Sequence, residues 1–313
     1  MIHIYANADH GIAQVATAAP DTWVNLVNPT YDELQSVAQQ LAIPLEVVTD
    51  ALDIDERARC EADEGYFMII IRIPVQDTAG SHTMFYTMPL GIIVARDNVI
   101  TVCRKETDVL VDVVHGKVRN VNLAQRRRFI LQIFLRTALL YLRDLKEINT
   151  NASIVQEKLH RSMVNKHLLG LLGLEKSLVY FTTSLRSNEL MIERLRKTPF
   201  FTLDEHEQDL LEDVIVENRQ AIEMANIYNN ILAGMMDAFA SIINNNVNVV
   251  LKLLTSITII VAWPTLVFSM YGMNIHLPFQ EPQTSYLGFI IVMLFTIVST
   301  VALVYLFIKR RWF

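Results

Sequence analysis

The chain reads as an α+β membrane protein: an N-terminal α/β cytoplasmic domain, a long helical stalk and a C-terminal two-helix transmembrane hairpin. Three observations predict this. Two apolar runs, Val249–Met270 and Tyr286–Ile308, end the 313 residues, the first with Lys252 as its only charge and the second with none. At the helical rise each covers roughly 33 Å, enough for a hydrocarbon core of about 30 Å. Ahead of them, a strand-rich segment gives way to long stretches of helical periodicity.

Residues 1–120 supply the α/β domain. Strands are expected over His3–Tyr5, Trp23–Leu26, Tyr66–Pro74, Pro89–Ala95 and Val99–Arg104, all rich in β-branched and aromatic residues. Pro29 and Thr30 open a helix that runs to Leu41, and Pro44 opens another through Leu52. Asp97-Asn98 is the expected hairpin turn. The acidic run Asp53–Glu64 reads as a solvated connection between helix and strand, and Arg126-Arg127-Arg128 as a solvated helix face.

Residues 121–247 supply helices and the stalk. Phe129, Ile130, Ile133, Phe134, Thr137, Leu140 and Tyr141 recur at i, i+3, i+4 spacing. A second helix spans about Ser162–Leu195 and ends at Thr198-Pro199. A third starts near Thr202–Glu205 and meets no proline before Pro264, so it continues into the first span. Residues 248–313 form the hairpin, with spans of about 249–270 and 286–308 and an external loop over 271–285.

Composition narrows the function. A formal net charge of −6 argues against a nucleic-acid partner. Cys60 and Cys103, the two cysteines, make no disulfide framework and fit a reducing compartment. The N-terminal residues lack the basic-then-apolar pattern of a cleavable signal. Lys309-Arg310-Arg311 follows the second span, while residues 271–285 hold no Lys or Arg. The positive-inside rule then puts both termini in the cytoplasm, in a cell (inner) membrane. No nucleophile–base constellation or phosphate loop is visible, so an enzyme is not expected, nor an organic cofactor.

One stripe carries the chemistry. Stepping by four and three along the third helix gives Asp237, Ser241, Asn244, Asn248, Leu251, Thr255, Thr258, Ala262, Thr265 and Ser269, mostly small or polar among Val, Leu, Ile and Phe. Polar groups at membrane depth must face protein or water. Close helix packing through small residues is the competing explanation. Asn244, Asn248 and Asp237 are bulky for that role, and two helices cannot enclose water. The stripe is therefore expected to face copies of itself around a symmetry axis. Hydroxyls and amides with no carboxylate in the membrane suit a strongly hydrated ion such as Mg²⁺, and Zn²⁺ or Cu⁺ handling would favour His or Cys. Asp213 extends the same register towards the N-terminus.

The residues that follow the first span, Tyr271-Gly272-Met273-Asn274, form a polar turn at the hairpin tip. With Trp23-Val24-Asn25-Leu26, the run Leu52–Glu61, Asn248–Lys252, Thr255 and Pro264, they resemble the CorA family of divalent-cation channels over essentially the full length. The resemblance implies a homopentamer with a cytoplasmic funnel, passive electrogenic uptake of hydrated Mg²⁺ (with cobalt transport) and gating by cytoplasmic Mg²⁺. It implies a selectivity filter of Tyr271, Gly272, Met273 and Asn274. Pore-lining residues would be Asn244, Asn248, Leu251, Thr255, Thr258, Ala262, Thr265 and Ser269. Asp213, Asp237 and Asp77 become regulatory metal ligands, Asp213 and Asp77 as the two halves of an intersubunit site. Two departures stand out: the acid after the tetrapeptide is displaced to Glu281, and Trp263 occupies a place where the family often has an apolar gate residue. The rival readings are a Zn²⁺, Co²⁺ or Ni²⁺ transporter of the related ZntB branch and a non-conducting membrane-anchored cation sensor.

Overall fold

The structure, a computed structural model, describes residues 1–8, 11–77, 84–161, 165–199, 201–273, 286–310 and 312. The chain divides into two compact units, Met1–Met235 and Met236–Phe313.

The first unit is built on seven strands: β1 (Ile2–Ala8), β2 (Gly11–Val15), β3 (Trp23–Val27), β4 (Arg59–Asp63), β5 (Tyr66–Gln76), β6 (Phe85–Ala95) and β7 (Asn98–Cys103). They lie in the order β2-β1-β3-β7-β6-β5-β4. Only β3 and β7 run parallel; the other pairs are antiparallel. One face packs on α1 (Tyr31–Leu41), α2 (Leu45–Thr49) and the single 3₁₀ turn after it, through Leu34, Val37, Val48, Leu26, Ile70 and Val102. The other face packs on α3 (Asp108–Val114), α4 (Arg126–Arg161) and α5 (Asn165–Arg196), where Phe129, Ile133, Phe134 and Met191 meet Trp23, Ile69, Ile71 and Leu90. Both faces are covered, which explains why the central strands read as unbroken apolar runs.

Local chemistry sets the element ends. Thr30 accepts from the Glu33 N–H at 3.3 Å while the Glu33 carboxylate accepts from the Thr30 N–H at 2.8 Å, a capping box that starts α1. Gly91 on β6 lies under the 3₁₀ turn: a Cβ there would stand 2.5 Å from the Ala51 Cβ, so no larger residue lets that turn approach the sheet. The hairpin between β6 and β7 turns on Arg96-Asp97, one residue earlier than expected, and Arg96 adopts φ 52°.

Three elements escaped the sequence reading: β2, β4 and α3. The acidic run is mostly exposed, as expected, but it includes strand β4 and is tied down by an arginine. Arg59 binds the carboxylates of Asp50 at 2.6 Å, Glu56 at 3.0 Å and Glu61, which ties the segment to the sheet edge. Beyond Ile70, β4 no longer covers β5. There Asn188 of α5 takes over, its amide accepting from the Arg72 N–H and donating to the Arg72 carbonyl, both at 2.8 Å. A side chain thus satisfies a strand edge that would otherwise be an open template.

Two arginines of the triplet are also engaged. Arg126 donates to the Arg96 carbonyl at 2.8 Å and to Asp97 at 3.0 Å, and Arg127 donates to the Thr202 carbonyl. These bonds fasten the start of α4 to the β6–β7 hairpin and to the segment ahead of α6.

α6 runs from Glu205 to Tyr271, 67 residues with Pro264 inside it, and α7 from Leu287 to Lys309. Asp204 and Glu207 start α6 with a second reciprocal cap, at 2.8 and 3.1 Å. Both helices are long and apolar enough to cross a membrane.

Candidate functional site

Within the second unit, α6 presents distinct faces. Ser256 is sealed, Val267 is 5% exposed, and Ile260 and Trp263 are half-buried. These four positions share one face, and the Trp263 indole N–H donates to Ser299 Oγ of α7 at 2.8 Å. This is the face turned to the second span. The stripe Leu251, Thr255, Thr258, Ala262, Thr265 and Ser269 is exposed throughout. At 100° per residue it is centred roughly 150° around the helix from the α7 face. Apolar flanks separate the two, Ile257, Val261 and Phe268 on one side and Ile259 and Leu266 on the other. The stripe is therefore not packed against the chain's own second helix.

Two of the stripe's hydroxyls have a fixed polarity. Thr258 Oγ1 donates to the Leu254 carbonyl at 2.8 Å and Thr265 Oγ1 to the Val261 carbonyl at 3.0 Å. Each hydroxyl proton is used on its own helix, so each oxygen offers only lone pairs outward. Asn244, Asn248 and Asp237 are likewise exposed. Trp263 does not belong to this face. Its indole turns towards Ser299 instead, and Leu251 is the bulky apolar member of the stripe.

At the end of α6, Gly272 N–H reaches the carbonyls of Phe268 at 2.9 Å and Ser269 at 3.2 Å, and a Cβ on Gly272 would sit 3.5 Å from both oxygens. Tyr271, Gly272 and Met273 are described; Asn274 lies outside the described residues.

The acids expected to bind regulatory metal come from different elements: Asp77 follows β5, and Asp213 and Asp237 belong to α6. Asp213 is exposed on α6 and lines a cleft of about 660 Å³ with Arg119, Arg128, His206 and Asp209. Two of its lining residues, Lys117 and Arg136, are held by Asp112, 2% exposed, Lys117 at 2.6 Å. Burial alone would raise the Asp112 carboxyl, but the bonds from Lys117 and Arg136 outweigh it and hold the group below the ordinary carboxylate range. Asp77 follows β5 beside Gln76, which reaches Glu147 further along α4 at 3.3 Å. Among the described residues no group of three or more His, Cys, Asp or Glu converges to hold a metal ion.

A sheet-and-helix unit followed by two apolar helices, the first edged with outward-facing acceptors, is the build of a two-span membrane protein. The chain belongs to the family described as CorA-like Mg2+ transporter protein, whose model matches residues 21–310. It is 26% identical over 301 residues to the cobalt/magnesium transport protein CorA of Methanocaldococcus jannaschii, covering 93% of this chain and 90% of that protein. The complete structure of the CorA magnesium transporter from that organism superposes with a TM-score of 0.85 at 24% identity, over 100% of this chain and 99% of the other. The ZntB cytoplasmic domain from Vibrio parahaemolyticus shares the fold at a TM-score of 0.60 and 15% identity, covering 78% of this chain and 98% of that domain.

Proposed function

We propose that the chain forms a homo-oligomeric, pentameric channel for hydrated Mg²⁺ and related divalent cations in the cell membrane, with both termini cytoplasmic. The observation that carries this is the orientation of Thr258 and Thr265: their hydroxyls face away from α7 and have lone pairs alone to offer. The water shell of a cation points its hydrogens outward, and acceptors are what such a shell needs. An anion's shell needs donors and would find none in these two hydroxyls. Mg²⁺ sheds water reluctantly, so a path that binds the shell rather than the ion allows passage. Asn244, Asn248, Leu251, Thr255, Ala262 and Ser269 complete the path, and the Leu251 ring is its apolar constriction. Asn274, with Tyr271, Gly272 and Met273, receives the ion outside. Uptake is passive, since an inside-negative potential favours a dication by about 4.6 kcal/mol per 100 mV.

In this reading residues 1–120 and 121–247 act as the sensing domain and stalk, and 248–313 as the hairpin. Asp213 and Asp77 of neighbouring subunits, with Asp237 at the inner entrance, bind cytoplasmic Mg²⁺. Because that cation prefers the closed assembly, it stabilises it and limits uptake.

Purified protein in vesicles tests both parts. Mg²⁺ and Co²⁺ entry is expected, with Asn274→Ala reducing it at least about tenfold; vesicles that take up only Zn²⁺ would move the chain to the ZntB branch, and no flux at all would leave a sensor. Replacing Asp213 and Asp237 by Asn is expected to abolish inhibition by internal Mg²⁺; inhibition equal to that of the parent would rule out their regulatory role.

A further inference from the structure

The bond between the two spans has a role the pore residues do not explain. Trp263 Nε1 donates to Ser299 Oγ at 2.8 Å, and Ser299 Oγ in turn donates to the Phe295 carbonyl at 2.7 Å and lies 3.1 Å from that of Thr296. The proton accounting closes: the indole N–H has an acceptor, and the serine hydroxyl spends its own proton on α7. Ser299 is thereby a fixed acceptor on a rigid helix rather than a free rotor.

Its position matters for α6. Pro264, the next residue after Trp263, has no N–H and leaves the Ile260 carbonyl without its helical donor, so α6 is locally soft there. Ala262 and Thr265 of the stripe flank this point. Lipid provides no hydrophobic drive that would set how one span is rotated against another; packing and interhelical hydrogen bonds do that. The packing on this face is thin, with Ser256 and Val267 sealed and Ile260 half-buried.

We infer that Ser299 is a positioning residue for ion selection: by holding the Trp263 indole on α7, it fixes the rotation of α6 at its proline. Thr258, Ala262 and Thr265 are thereby kept turned to the ion path. The inference rests on the pore reading above and adds a residue that never touches the ion. A cleft beside Asp213 and the basic run after α7 are separate features and take no part in it.

The test uses the full chain in vesicles, with Cys60 and Cys103 replaced by Ser and a single cysteine introduced by Thr258→Cys, Thr265→Cys, Ile257→Cys or Ile259→Cys. With Ser299 present, a charged thiol reagent is expected to react at 258 and 265 and to block Mg²⁺ entry, with little reaction at 257 and 259. Ser299→Ala and Trp263→Phe are each expected to lower reaction at 258 and 265 several-fold and raise it at the flanks, while Ser299→Thr, which keeps the acceptor, preserves the parent pattern. The double variant should be no worse than either single one, because both remove the same bond. A purely structural role would reduce the amount of assembled protein without moving reactivity between faces. Trp263→Phe keeps an aromatic ring and brings no donor that needs a partner, so it decides the question even where Ser299→Ala assembles poorly. Positions 258 and 265 unreactive in the parent would sink the pore reading and this inference together. Positions reactive in the parent and unchanged in both variants would sink this inference alone.

Discussion

The sheet unit and the membrane hairpin treat polar side chains in opposite ways. In the sheet unit they are paired inside the same chain: Trp23 donates to Thr101 at 2.7 Å and Thr101 to Asn25 at 2.9 Å, Asp112 holds Lys117 and Arg136, and Asn188 closes the edge of β5. In the hairpin the stripe from Asn244 to Ser269 turns outward, and only 6% of the most apolar window of each helix is buried. In hydrocarbon each unsatisfied polar group costs several kcal/mol, so an outward face that carries amides as well as hydroxyls favours protein or water against it. The difference teaches that the first unit closes its polar groups within one chain, whereas the second leaves a polar face open, which in the proposed pore is walled by copies of itself.

The strongest way to break this comparison is to remove the outward acceptors without changing shape. Thr258→Val together with Thr265→Val keeps the volume and deletes the hydroxyls. If the stripe meets the hydrated ion, Mg²⁺ entry into vesicles should fall by roughly ten- to a hundredfold, whereas Ser256→Ala on the α7 face should change it by less than about twofold. Equal effects at the two faces would mean that the hydroxyls serve packing, and the hairpin would then resemble the sheet unit after all.

A second test acts on the paired side. Arg136→Ala leaves Asp112, 2% exposed, with Lys117 as its remaining cation. Breaking a buried pair from one side is expected to cost about 3 kcal/mol, read as a lower thermal midpoint of the first unit in the detergent-solubilised chain. A midpoint within about a degree of the parent would show that the pair is as dispensable as an exposed one.

The two units also differed in how far the sequence disclosed them. The stripe was visible because threonine and asparagine at helical spacing stand out among valine and leucine at membrane depth. Its orientation relative to α7 was not, since nothing in the order of residues says which face the second span covers; that required the Trp263–Ser299 bond. In the sheet unit the central strands were plain from their β-branched runs. β4 was missed because Arg59-Cys60-Glu61-Ala62-Asp63 has one strand neighbour and no need for an apolar face; its strand pairing is satisfied by backbone and by the Arg59 network. α3 was missed because its valines carry strand propensity, and Thr107 overrides this by capping the Val109 N–H at 3.3 Å. The arginine triplet looked like a solvated face because its acceptors, the Arg96 and Thr202 carbonyls, lie far away in sequence.

The smallest effect concerns pH. Asp144 on α4 is 2% exposed, and burial pushes its carboxyl up to about 6, with Arg143 opposing the shift through a 2.8 Å bond and Glu147 and Asp108 adding to it. The folded chain therefore holds this proton more tightly than the unfolded chain does. Between the ordinary carboxylate range and about pH 6 the folded state binds more protons, so stability falls as pH rises and levels off above that window. Asp144→Asn cannot ionise and should lose this slope. Hydrogen-exchange protection of α4 amides in the full chain, corrected for intrinsic rates, should decline from pH 4 to pH 7 by about 2 kcal/mol more in the parent than in the variant. Equal slopes would mean that Arg143 keeps the acid ionised throughout. The buried acid would then be compensated by its partner as fully as Asp112 is, and the sheet unit would hold its charges more uniformly than the burial of Asp144 implies.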